Sequence, residues 1–224
     1  MREHLEREIS RLKRQVGSLA AAVENAVAQA VQAAGEGNSE LAAAVIERDN
    51  LIDHNEIILE EECLKILALH QPVAGDLRYI ITFLKVNGEL ERIGDLAVNI
   101  AKCAMELAAL REEPPEGIDF RVLTTRVREM LKRALDALLT RNCLEANEAL
   151  KMDEEVDRMN RENFETITGL IRKYPRFASS YVHTLFISRH LERIGDCTTN
   201  ICEDVVYLEL GKIVRHGGLE RPEA

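Results

Sequence analysis

Aromatic residues are scarce, at 4% of 224 positions, and no stretch alternates apolar and polar residues as a half-buried strand would. Both absences weigh against a β-rich fold. Proline is thinly spread: Pro72, Pro114, Pro115 and Pro175 punctuate the body of the chain and leave long stretches open to helix. No apolar run approaches the roughly 18 to 20 residues needed to cross a bilayer. The opening Met1-Arg2-Glu3-His4 leads into an amphipathic segment and not a signal sequence, so a soluble cytoplasmic protein is expected. Basic charge is in deficit. With 29 basic against 39 acidic residues the net charge is −10 and the pI near 5.2, which argues against a nucleic-acid footprint and against direct attraction to anionic lipid or free phosphate. An acidic protein that handles an anion needs a cation between them. The five cysteines (Cys63, Cys103, Cys143, Cys197, Cys202) form no Cys-x-x-Cys pair and read as free core thiols of a reducing compartment.

What is present is a repeat. Leu90-Glu91-Arg92-Ile93-Gly94-Asp95 recurs letter for letter as Leu191-Glu192-Arg193-Ile194-Gly195-Asp196, and each copy is followed by an Asn-Ile pair, Asn99-Ile100 and Asn200-Ile201. Such self-similarity marks a duplicated supersecondary unit. A hydrophobic content of 46% is enough for two halves packed on a substantial core.

The periodicity predicts six helices. Leu5, Ile9, Leu12, Val16, Leu19, Val23, Val27 and Ala30 form the stripe of the first. After Gly35-Glu36-Gly37, Asn38 or Ser39 caps a second, whose buried face carries Leu41, Val45, Ile52, Leu59, Cys63 and Ile66. Pro72 ends it. A third, from about Asp76 to Leu110, reads as apolar on two sides: Val86, Leu90, Ile93, Ala97, Ile100 and Ala104 on one, and Leu77, Ile81, Leu84, Val98 and Met105 on the other. Glu91 and Asp95 fall in the middle of that second face, where aliphatics would normally pack. Arg111 to Gly117, with Pro114-Pro115, is the expected join between repeats spanning 1–113 and 118–216. The plan then recurs in helices at about 119–141, 143–173 and 177–211, with Asn142 lying 104 residues after Asn38. The fold expected is all-α: two tandem antiparallel three-helix bundles from an internal duplication.

Carboxylates at i, i+4 share a helix face and destabilise it by roughly 0.2–0.5 kcal/mol. Four such pairs are matched between the halves, two in each: Asp49/Asp53, Glu91/Asp95, Asp153/Asp157 and Glu192/Asp196. Taken singly, each pair reads as a solvated face or half of an inter-helix salt bridge. Repeated in both halves, they suggest quartets of oxygen donors on paired antiparallel helices, suited to divalent ions and not to a Cys/His zinc site. Arg92 and Arg193, next to a carboxylate in sequence, are free to pair with another helix.

Gln71-Pro72-Val73-Ala74-Gly75-Asp76-Leu77-Arg78, the two hexamers with their asparagines, and the tail from Asn200 to Gly211 together resemble the PhoU family, over essentially the whole chain. The resemblance implies a cytoplasmic negative regulator of phosphate uptake and of the phosphate-starvation regulon. It would act between the ATPase of a phosphate ABC transporter and a sensor histidine kinase, reaching the membrane only through these partners, with a homodimer as the expected assembly. It also implies metal ions such as iron or zinc, held by Asp49, Asp53, Glu91 and Asp95 and by Asp153, Asp157, Glu192 and Asp196. Where relatives often have His after the hexamer, this chain has Leu96 and Cys197; where the second half has Glu203, the first has Lys102. Asn99, Lys102, Cys197, Asn200 and Glu203 are therefore candidate modulators, and the second quartet is expected to load first. Two other readings stand beside this one, a metal-free helical adaptor and a di-metal carboxylate enzyme. The enzyme reading lacks the Glu-x-x-His ligand pair, His-Glu-x-x-His, a glycine-rich phosphate loop and Gly-x-Ser-x-Gly. His54 and His190, the histidines nearest the pairs, read as surface or core residues.

Overall fold

The computed structural model describes residues 2–110 and 114–213. Residues 111–113, inside the expected join, lie outside the described residues, as does the expected end of the second repeat at 216. The order is α1 (Arg2–Glu36), α2 (Ser39–His70), α3 (Ala74–Ala109), α4 (Arg121–Thr140), α5 (Cys143–Lys173) and α6 (Ala178–Leu210), with a 3-10 turn at Pro175–Phe177. No strand occurs among the described residues, and none of their helices is long and apolar enough to cross a membrane.

The helices start and stop where side-chain chemistry allows. Asn38 caps α2, its Oδ1 accepting from the Leu41 N–H at 2.9 Å. Asn142 does the same for α5, accepting from Leu144 at 3.1 Å and Glu145 at 3.3 Å. The residue before each cap takes left-handed backbone geometry, Gly37 at φ 63° and Arg141 at φ 58°. Glycine adopts that conformation freely and arginine does so at a cost. Arg141 is held by Glu209 of α6 at 3.2 Å. Gly211, at φ 67°, closes α6.

Helices α1 to α3 form one three-helix bundle and α4 to α6 a second; they join mainly along α3 and α6, with α1 also touching α4. The stripe from Leu12 to Ala30 is buried, as are Val127, Met130, Leu131, Ala134 and Leu138 of α4. One hydrophobic core runs through both bundles. Across the α3/α6 seam, Lys85 Nζ meets Asp204 Oδ1 at 2.6 Å and Asn200 donates to Glu89 Oε1 at 3.2 Å.

Helix α3 departs from its expected pattern. Of its second apolar face only Val98 is buried; Ile81 and Leu84 are half-buried, and Leu77 and Met105 are exposed. Its buried residues instead include Tyr79, Ile80, Phe83, Leu96 and Cys103, because α3 contacts α1, α2 and α6. The stripe carrying Glu91 and Asp95 is left at the edge of the packing. Glu91 is half-buried and Asp95 exposed, so these carboxylates remain within reach of solvent.

Candidate metal centres

Each hexamer glycine marks a close approach between helices. A Cβ on Gly94 would stand 3.2 Å from Asp49 Oδ1 and 3.2 Å from Ile52 of α2; one on Gly195 would stand 3.2 Å from Asp153 Oδ1 and 3.2 Å from Val156 of α5. The missing side chain lets an aspartate of the neighbouring helix lie against the hexamer backbone. The repeat alone assigns these glycines no role, although a glycine inside an otherwise strong helical pattern signals a packing or functional need.

In the first half the four expected carboxylates act on one another. Asp49 is pushed up to about 6 by burial, with Asp53 and Asp95 adding to the rise and Lys102 opposing it. Glu91 is raised by burial, then by Asp95, Asp53, Glu56 and Asp49. Glu56, which pairs at i, i+4 with Glu60, is thus a fifth carboxylate of this cluster outside the four matched pairs. Lys102 is the one cation among the causes acting on Asp49, and the smallest of them.

The second quartet follows the same plan with different surroundings. Asp153 is pushed up to about 6 by burial, then by Asp157, Asp196 and Glu154. Glu192 is buried and raised, chiefly by burial and Asp196, with Arg189 opposing. Burial and Asp157 raise Asp196 against Arg189 and Arg193. Arg189 Nη1 sits 2.5 Å from Glu192 Oε1, and Arg161 Nη1 3.6 Å from Asp157 Oδ2. Neither arginine stands out in the sequence. Among the described residues the ion pair of Arg92 is within its own helix, with Glu89 at 3.6 Å.

The candidate modulators separate. A cleft of about 220 Å³ between α3 and α6 is lined by four matched pairs, Arg92/Arg193, Asp95/Asp196, Leu96/Cys197 and Asn99/Asn200. Asp95 and Asp196 belong both to this cleft and to their quartets. Cys197 lies near Glu89, its thiol pushed up to about 12 by burial and that carboxylate. The thiol near the second quartet is Cys202, also pushed up to about 12, by burial, Asp153 and Glu203. Glu203 acts there and is not among the charges that shift Asp153. His54 is exposed; His190 is half-buried and lowered by burial and Arg193.

Do these residues fit a metal ion? Among the described residues no three His, Cys, Asp or Glu side chains converge tightly enough to enclose one as they stand. Yet Asp153 Oδ1 and Glu192 Oε2 are buried without a hydrogen-bond partner. Such atoms are costly unless something satisfies them. Hard carboxylates, raised by burial and by mutual repulsion, are the donor type whose charge a divalent cation relieves.

A duplicated helical bundle with an acidic pair facing an acidic pair in each half is the class that fold and site define. The PhoU domain model matches this chain twice, at residues 16–104 and 120–205. The chain belongs to the PhoU family. It is 37% identical to the phosphate-specific transport system accessory protein PhoU homolog of Pseudomonas putida, over 97% of this chain and 85% of the relative. It is 35% identical to the homolog of that name from Aquifex aeolicus (strain VF5), over 94% and 95%. The crystal structure of PhoU from Pseudomonas aeruginosa superposes with a TM-score of 0.88 at 35% identity, covering 92% of this chain and 99% of the other.

Proposed function

We propose that this chain is a non-enzymatic cytoplasmic negative regulator of phosphate uptake. It links the ATPase of a phosphate ABC transporter to the phosphate-sensing histidine kinase and assembles as a homodimer. The reading rests on family membership and on relatives whose names place them with a phosphate-specific transport system, matched across most of both chains. A regulator of this kind shifts an equilibrium only through different affinities for different states of its partner. The test is a deletion strain in rich phosphate, where the phosphate regulon should stay on; normal repression would sink the proposal. Pull-down from native membranes at high and low phosphate reads the partners directly.

The same proposal assigns metal to Asp49, Asp53, Glu91 and Asp95 and to Asp153, Asp157, Glu192 and Asp196. The observation carrying it is the pair of unpartnered buried oxygens on Asp153 and Glu192. A bound ion would neutralise each quartet and hold α2 to α3 and α5 to α6. Elemental analysis after dialysis against limiting iron, zinc or manganese tests this, and a metal-free protein that melts at the same temperature with and without ion refutes it. A metal-free adaptor is the second reading. Arg189 favours it, since a cation of the chain itself already sits on Glu192.

A further inference from the structure

Two of the five phenylalanines, Phe164 on α5 and Phe186 on α6, are 55% and 49% exposed. They face the same groove, of about 470 Å³, whose other walls are Leu185, Asn160, the two arginines Arg161 and Arg189, and one carboxylate, Glu165. Val182, also exposed, lies one turn before Phe186 and prolongs the apolar stripe on α6. Exposing aromatics is unfavourable unless a partner covers them, and a valley between two helices is the shape that receives an amphipathic helix. At the positions 104 and 101 residues earlier, the first half has Glu60 and Lys85 in place of the two phenylalanines, and Ile57 and Gly88 in place of the two arginines.

The same two arginines reach into the second quartet: Arg189 holds Glu192 at 2.5 Å and Arg161 holds Asp157 at 3.6 Å. While these pairs are made, the charge each arginine offers the groove is offset by its carboxylate. Whatever neutralises Asp157 and Glu192 leaves two guanidiniums, 67% and 58% exposed, facing the apolar floor.

We propose that this groove docks an amphipathic helix of a partner protein whose apolar face is flanked by carboxylates, and that Arg161 and Arg189 couple docking to the state of the second quartet. The coupling to metal rests on the metal assignment above; the docking surface does not. Because linkage is reciprocal, an ion that tightens docking is itself bound more tightly in the docked state, by the same factor. Phe164 and Phe186 supply the anchors and the arginines select charge.

The probes are two labelled helical peptides with identical leucine faces, one flanked by glutamates and the other by lysines, read by fluorescence anisotropy against the full chain with and without Mn²⁺. The glutamate peptide should bind about tenfold more tightly than the lysine peptide, since close charge complementarity is worth at least that factor. Phe164→Ser and Phe186→Ser, at exposed positions that leave the fold intact, should each weaken it about tenfold. Metal-free Glu192→Gln should tighten binding as Mn²⁺ does, because both release Arg189. If that variant works while Mn²⁺ neither binds nor tightens docking, the metal assignment falls and the docking surface stands. Equal binding of the two peptides, no binding of either, or binding indifferent to both phenylalanines would overturn the docking proposal. So would phenylalanine-dependent binding to vesicles of anionic lipid in place of the peptide.

Discussion

The two quartets share a spacing and differ in how their charge is balanced. In the first, the cation is Lys102, about two helical turns beyond Asp95, and it acts on Asp49. In the second, Lys102 is replaced by Glu203, and the paired cations are Arg189, on Glu192, and Arg161, on Asp157, at positions where the first half has Gly88 and Ile57. Each half therefore carries a cation where the other has none. Duplication kept what geometry requires, the hexamer glycine and the carboxylate register, while the counter-charge was free to move. Of the eight quartet carboxylates, only Asp153 and Glu192 of the second half bury an oxygen without a partner. In the first, Glu56 binds the buried Asn87 amide through its backbone carbonyl at 2.8 Å and its Oε1 at 3.3 Å.

The largest effect should come from closing the helix approach. Gly94→Val and Gly195→Val each put a branched side chain where even a Cβ would stand 3.2 Å from its neighbours. Each should lower stability by about 1–3 kcal/mol in urea denaturation, and to a similar extent. A loss confined to one half would break the equivalence of the two crossings. Next is the metal itself. Asp157→Asn should lose more ion than Asp53→Asn after dialysis against limiting Mn²⁺, by about tenfold in affinity, or ~1.4 kcal/mol. A larger loss from Asp53→Asn would reverse the ranking of the sites, and no loss from either would remove both.

Much of this architecture is legible in the sequence. Three- and four-residue spacing places all six helices, because burial along one stripe leaves a periodic trace, and Asn38 and Asn142 announce their caps. The doubled hexamer puts one acidic pair of each half on α3 and α6. What stays hidden depends on contacts between helices. The wheel of α3 puts Glu91 and Asp95 amid buried aliphatics, but contacts with α1, α2 and α6 turn Leu77 and Met105 to solvent. Arg189 lies three residues from Glu192, a spacing that allows a pair, yet it stands outside the repeated hexamer. Cys197 is singled out in the sequence by its place after the hexamer, but a neighbour at i+1 points elsewhere on a helix, and the thiol on which Asp153 acts is Cys202.

The pH dependence of the metal-free protein should be smaller in magnitude. Asp49 and Asp153 are both raised from 3.8 to about 6, so the folded state favours their protonated forms. Their contribution to stability is full below about pH 4 and is lost as pH rises through about 6. Lowering the pH from 7 to 5 should therefore raise the melting temperature attributable to these groups. After solvent screening this is on the order of 1 kcal/mol for each. Asp49→Asn and Asp153→Asn should each flatten the profile and stabilise the metal-free protein at pH 7. Metal affinity should fall over the same window, because protons compete for the same oxygens. A profile unchanged in both variants would show that neither aspartate carries the repulsion.

The smallest effect should come from moving one counter-charge. Lys102 is exposed, so its influence on Asp49 is screened, and removing it changes the local energy by about 0.2–1 kcal/mol. In an Asp157→Asn background, where the second site is disabled, Lys102→Ala should raise Mn²⁺ affinity at the first site by about 1.4-fold to fivefold by calorimetry, the factor those energies convert to. Lys102→Glu, which copies the residue found at 203, should raise it further, because the added carboxylate increases the repulsion that an ion relieves. The direction separates two explanations of unequal loading. If the difference lies in counter-charge, both substitutions narrow the gap between the sites. If it lies in the deeper burial of Glu192 and its unpartnered oxygen, the gap survives both, and only changes at Glu192 or Arg189 move it.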